Sequence, residues 1–164
     1  MKKANVIAVL LFILVSAPLS YGQDNRLLKV LEPVDEKQRP RLAERLNLFI
    51  GYHRTQQWAK LFNLLDKNNA EDKSVEQFAK EVSRMQQFNF VPERTTVESS
   101  DGSEYRIYGC VNARANKDIV WLQGGLVAYL QAGDWYFTTY FLRYDRTTSR
   151  PLRCDDALKS GGVR

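Results

Sequence analysis

A single histidine, two cysteines and two methionines leave this 164-residue chain short of the side chains from which metal centres and thiol chemistry are built. His53 has no second histidine to pair with, and Cys110 and Cys154 are not closely spaced. Neither a zinc site nor the paired His and acid of a metalloprotease helix can be assembled from them. The chain also lacks a G-x-S-x-G elbow, a phosphate-cradling Gly-rich loop after a strand, and a dinucleotide fingerprint. Gly124-Gly125 lies inside an apolar run and imitates none of these. No pair of carboxylates stands out for sugar hydrolysis. No metal and no cofactor is expected.

Long apolar runs are absent beyond the N-terminus. Lys2 and Lys3 precede an unbroken apolar run from Val6 to Val15, and Ser20-Tyr21-Gly22 places small residues where a signal peptidase reads them. Residues 1–22 therefore read as a secretory signal peptide cleaved after Gly22. An uncleaved anchor is the alternative, but the run falls short of the roughly 20 residues that span a bilayer. The expectation is a secreted or periplasmic protein with no stable membrane insertion after cleavage. Loss of Lys2 and Lys3 lowers the net charge from +5 to +3, too small and dispersed an excess to argue for nucleic acid. That excess sits in the tail, where Arg143, Arg146, Arg150, Arg153, Lys159 and Arg164 outnumber Asp145, Asp155 and Asp156. A solvated basic tail over 146–164 is the plain reading; an anionic partner surface is the sharper one.

In a secreted chain, an even cysteine pair predicts a disulfide between Cys110 and Cys154 that ties the tail back to the sheet. The competing reading keeps Cys110 as a free nucleophile activated by a partner such as His53.

Residues 23–40 are polar and punctuated by Pro33 and Pro40, and read as a lead-in with at most one helical turn around Arg26–Leu31. From Arg41 the pattern turns helical. Leu42, Leu46, Phe49, Ile50 and His53 recur at spacings of three and four, opposite Arg41, Glu44, Arg45 and Asn47. Thr55 is placed to cap a second piece carrying Trp58, Leu61, Phe62 and Leu65, which Asp66-Lys67-Asn68-Asn69 stops. Ser74 with Gln77 resembles a capping box for a third helix with Val75, Phe78, Val82 and Met85 as its stripe.

After Phe88 the period changes to two. Val91–Glu98 reads as an edge strand, Ser100-Asp101-Gly102 as a turn, and Tyr105, Ile107, Gly109 and Val111 alternate with Arg106, Tyr108, Cys110 and Asn112. Asn116-Lys117-Asp118 reverses the chain into a long aromatic hairpin, Ile119–Leu142, turning at Ala132-Gly133-Asp134, with a bulge at Gly124-Gly125. Three helices thus precede four antiparallel strands.

The helical stretch LNLFIGYHRTQQWAKLFNLLDK, a further helix, and strands ending in GDWYFTTYFL resemble the nuclear transport factor 2-like superfamily, which includes ketosteroid isomerases and SnoaL-type cyclases. The resemblance covers about Arg41 to Tyr144, within a domain read as residues 41–145. It implies an α+β fold in which a cone-like, curved antiparallel sheet of about four strands wraps around the N-terminal helices and leaves a cavity at its open end, with dimerisation through the convex sheet as a common arrangement.

An enzyme of this fold needs a carboxylate base and proton donors in the cavity. Glu98, Glu104, Asp118 and Asp134 lie at or beside turns and read as rim residues. Tyr52 and His53 are the candidates for catalysis; Tyr52, Trp58, Tyr129, Trp135 and Tyr140 are those for ligand contact, each equally explained as core. The expected function is a secreted, non-enzymatic domain binding a small apolar ligand or a protein partner, homodimer included. The alternative is an isomerase or cyclase using acid–base chemistry in the cone.

Overall fold

The structure, a computed structural model, describes residues 25–66, 73–82, 89–115 and 118–154. The signal segment, Lys67–Asn69, Met85, Asn116-Lys117 and residues 155–164 lie outside the described residues.

Among the described residues, four helices come first: α1 (Asn25–Val30), α2 (Arg39–Arg54), α3 (Trp58–Phe62) and α4 (Val75–Val82). The apolar stripe of α2 is buried as its spacing demands, with Leu42, Leu46, Phe49 and His53 all turned into the core. Burying each of the three apolar members stabilises by about 1.5–3 kcal/mol. Pro40 sits in the first turn of α2, where its missing N–H costs nothing. The expected capping box is present at α4. The Gln77 N–H donates to Ser74 Oγ at 3.2 Å, and the Ser74 N–H donates to Gln77 Oε1 at 2.9 Å.

Two expectations in this half are corrected. Thr55 does not open the second helical piece: its hydroxyl donates to the Gly51 carbonyl at 2.7 Å and closes α2. The segment read as a polar lead-in is part of the core, because Leu27, Leu31 and Val34 come onto one side of α1 and its following turn, at 5%, 0% and 1% exposure.

The sheet is antiparallel and runs β1 (Phe90–Val97), β2 (Glu104–Ala115), β3 (Asp118–Gln131), β4 (Asp134–Phe137), with β5 (Phe141–Leu142) pairing farther along β3. It is curved and unclosed, and its inner face packs on the helices. Tyr105, Ile107 and Val111 of β2 face inward with Leu126 and Ala128 of β3 and Trp135 and Phe137 of β4. The α+β cone expected from the sequence is thus the architecture found. Arg41 and Arg45 of α2 reach Asp134 at 3.1 and 3.4 Å, tying the long helix to the β3–β4 turn.

The bulge is not at Gly124-Gly125. The β2–β3 register runs unbroken through both glycines, and the slip occurs in β1 between Pro92 and Arg94. The glycines serve close approach instead. Gly109 pairs with Gly124 across the strands, and a Cβ on Gly109 would stand 2.1 Å from the Val91 carbonyl oxygen. Bulge and glycine pair together let the sheet bend there.

Candidate functional site

The last strand, read from the sequence as continuous, is broken, and the break builds the interior. Between the pairs Ala128–Phe137 and Gly125–Phe141, three residues on the final segment oppose two on β3. Thr138 causes this: its N–H donates to the Val127 carbonyl at 2.9 Å, and its hydroxyl accepts the Val127 N–H at 3.0 Å, in place of a backbone acceptor. The one-residue slip exchanges faces. Tyr140 turns into the cone, where its ring lies 5.4 Å from Phe49, 5.8 Å from His53 and 5.3 Å from Phe90, while Phe141 turns out.

Helix α2 places His53 beneath this ring, and α3 places Trp58 edge-on to the imidazole at 5.5 Å. Burial in this apolar box lowers the His53 pKa to about 4, so the imidazole is neutral at pH 7. Burial likewise pushes the Tyr140 hydroxyl well above its ordinary value. In neither case is a neighbouring carboxylate among the causes. The described residues include one buried acid. The buried acid among them, Asp66, accepts from Gln131 Nε2 at 2.5 Å, and its charge acts on Tyr129.

The structure therefore brings together His53, Trp58 and Tyr140 of the expected site and separates the others. Trp135 is fully buried farther along the cone against Tyr105, at 5.7 Å. Tyr52 is half-buried under Lys60, whose ammonium stands 5.5 Å from its ring. Tyr129 belongs to the outer face: it opposes Tyr136, one position off the inward Leu130–Trp135 pair, and is no cavity residue. Phe49, Phe137 and Trp135 occupy the space at 1%, 0% and 0% exposure. A groove of about 300 Å³ opens at the side, between α1, α2 and the start of β1. Its apolar lining includes Leu27, Ile50, Phe90, Val91 and Pro92, and its polar lining Arg26, Arg54, Asn47 and Asn89.

The outer face brings Arg143, noted in the sequence as part of the basic tail, together with residues from β1 and β2. The Arg94 guanidinium lies 4.5 Å over the Tyr108 ring and that of Arg143 at 5.9 Å, Arg106 sits 5.8 Å over Phe141, and Phe141 meets Tyr108 edge-on at 5.9 Å. The β2 alternation had put Arg106 and Tyr108 on one face; Arg143 and Phe141 arrive there only through the Thr138 slip and the returning tail.

Cys110 and Cys154 form a disulfide, with Cα atoms 6.1 Å apart and both residues fully buried, which excludes the free-nucleophile reading of Cys110. The bond fits an oxidising compartment. Among the described residues no helix is long and apolar enough to cross a membrane.

No protein-family profile matches the chain, and no curated protein matches it. Solved structures do. An NTF2-like protein of unknown function from Pseudomonas putida shares 9% identity over 73% of this chain and 96% of its own, with a TM-score of 0.50. A putative scytalone dehydratase from Novosphingobium aromaticivorans shares 12% over 78% and 96%, with a TM-score of 0.48. An LEH-like epoxide hydrolase from Mycobacterium tuberculosis shares 14% over 58% and 79%, with a TM-score of 0.40. Identities this low speak for fold alone. With the order and curvature described above, the chain has the nuclear transport factor 2-like fold, and fold alone does not fix function.

Proposed function

We propose that the protein is exported, loses residues 1–22 on the way, and acts outside the cytoplasm as a binding module that engages a protein partner through its surface. The observation that carries this reading is the interior. Phe49, Trp135 and Phe137 are buried within the cone, and the His53 and Tyr140 beside them are poorly matched to proton transfer at neutral pH. A base that binds its proton only near pH 4 and a phenol that holds its own well above pH 10 straddle the working range instead of sitting in it. The disulfide supports the exported state.

Native mass spectrometry of the protein recovered from its export compartment tests this reading. The expected result is an N-terminus at Gln23, a protein partner, and no retained small molecule. An organic molecule released only on denaturation would overturn it.

A second reading, a small ligand, is favoured by the side groove alone. Its two guanidinium groups and two amides suit a short acid with an apolar body better than the neutral apolar ligand expected from the sequence.

A further inference from the structure

We infer that the outer sheet face, completed by the returning C-terminal hairpin, is a docking surface for an acidic protein segment. The inference rests on the partner-binding reading above and names the partner's chemistry.

The surface is assembled from three distant parts of the chain. Arg94 comes from β1 and pairs with Tyr108 of β2, Arg106 comes from β2, and Arg143 follows β5. Residues 143–154 are held against the sheet by backbone bonds on both sides. The Arg143 N–H donates to the Gln123 carbonyl, the Gln123 N–H to that of Leu152, the Leu152 N–H to that of Arg143, and the Cys154 N–H to that of Trp121. The Cys110–Cys154 disulfide locks the end of this hairpin to β2. Its loop is ordered by Asp145, which accepts from the N–H and hydroxyl groups of both Thr147 and Thr148, so that carboxylate is committed within the turn. The same loop carries exposed Arg146 and Arg150.

The cations are held in place. A guanidinium stacked on a ring keeps its N–H edge available in plane, and its planar fork matches a carboxylate through two parallel bonds. Arg143 is further oriented by Gln123 Oε1 at 3.1 Å and Arg106 by Glu98 at 3.2 Å. Arg94 and Arg143 are exposed, and Arg106 keeps 38% of its side-chain surface open. Side chains fixed before binding lose less freedom on binding. The basic residues here are all arginine, which favours bidentate recognition over diffuse attraction. The Tyr108–Phe141 pair between them offers the apolar contact that a peptide side chain uses, and Tyr108, already stacked by two guanidinium groups, is not a platform for a sugar. Glu93, Glu98 and Glu104 share this side of the sheet, and Glu98 is already paired with Arg106, but they are fewer than Arg94, Arg106, Arg143, Arg146 and Arg150.

The test uses the oxidised, exported protein and a labelled 12-residue peptide alternating Glu and Ala, followed by fluorescence anisotropy at low and high salt. Binding is expected, weakening with salt, and falling at least tenfold in the double variant Arg94→Gln/Arg143→Gln. The charge-matched control Lys29→Gln/Lys80→Gln should keep its affinity within twofold. The single variant Arg143→Gln in the oxidised protein should weaken binding several-fold. No binding at millimolar peptide, equal loss in the two double variants, or preference for heparin or for phosphatidylglycerol vesicles over the peptide would each overturn the inference. A partner found by native mass spectrometry that still binds the Arg94→Gln/Arg143→Gln protein would refute this surface while leaving the binding-module reading intact.

Discussion

Reducing the Cys110–Cys154 bond removes a cross-link between residues 44 positions apart. In the chain-entropy picture, a loop of this length withholds about 13 cal/mol/K from the unfolded ensemble, or about 4 kcal/mol at 25 °C. The native hairpin keeps its backbone bonds to Trp121 and Gln123 without the sulfur bridge, so the loss arises mainly in the unfolded state. Four kcal/mol is a large part of the roughly 5–15 kcal/mol that holds a domain folded. For a domain of this size it corresponds to a fall in Tm of roughly 15 °C. Urea unfolding of oxidised and reduced protein, followed by tryptophan fluorescence, measures it directly. Amide exchange should meanwhile accelerate across residues 143–154. A difference below about 1 kcal/mol would refute the reasoning, since the bridge would then constrain a loop already closed by other means.

Further outcomes follow from individual residues. Gly109→Ala should destabilise by more than about 2 kcal/mol, or prevent folding, because its Cβ would meet the Val91 carbonyl, whereas Gly51→Ala, with open space around it in α2, should stabilise by about 0.5–1 kcal/mol in thermal melts. Ala132 holds φ at 50° before Gly133 at 82°, a pair of left-handed positions that Asn-Gly suits best, so Ala132→Asn should raise stability by about 1 kcal/mol in urea unfolding. His53, with its folded pKa depressed below the unfolded 6.5, binds its proton more readily when unfolded. Stability from this residue is therefore full above pH 6.5 and declines as pH falls toward 4, by roughly 3 kcal/mol in all, and His53→Phe should flatten that part of the pH profile. Trp135→Ala should cost about 3–5 kcal/mol while Tyr129→Phe leaves stability within about 0.5 kcal/mol, separating the buried ring from the outer one.

Much of this architecture was legible in local pattern. The three-and-four spacing of Leu42, Leu46, Phe49 and His53 located the buried face of α2, the Ser74/Gln77 pair marked the start of α4, and the alternation from Tyr105 to Val111 sorted β2 into its two faces. Cysteine arithmetic gave the disulfide. What escaped depends on contacts across the chain. The Thr138 hydroxyl standing in for a backbone acceptor leaves no periodic trace, yet it decides that Tyr140 faces inward and Phe141 outward. Leu27, Leu31 and Val34 were hidden because their neighbours are charged, and only packing against the core shows that they belong to it. Tyr129 was within reach of simple counting: a two-residue turn places it opposite Tyr136, and so on the other face from Trp135.

The outer arginines illustrate the same limit at the level of function. Along the sequence, Arg94 and Arg106 are ordinary surface charges, and Arg143 is one member of a basic tail. They become one stacked surface only when β1, β2 and the hairpin after β5 are folded together.

Burial of His53 among aromatic side chains in the cone is most directly tested on the one imidazole in the chain. A ¹H–¹⁵N NMR titration of His53 in the oxidised protein reports that group alone. A pKa near 4 is the predicted result. A value at or above 6.5 would mean an imidazole open to water or held by a carboxylate, and would contradict the packed, non-catalytic interior proposed for this protein.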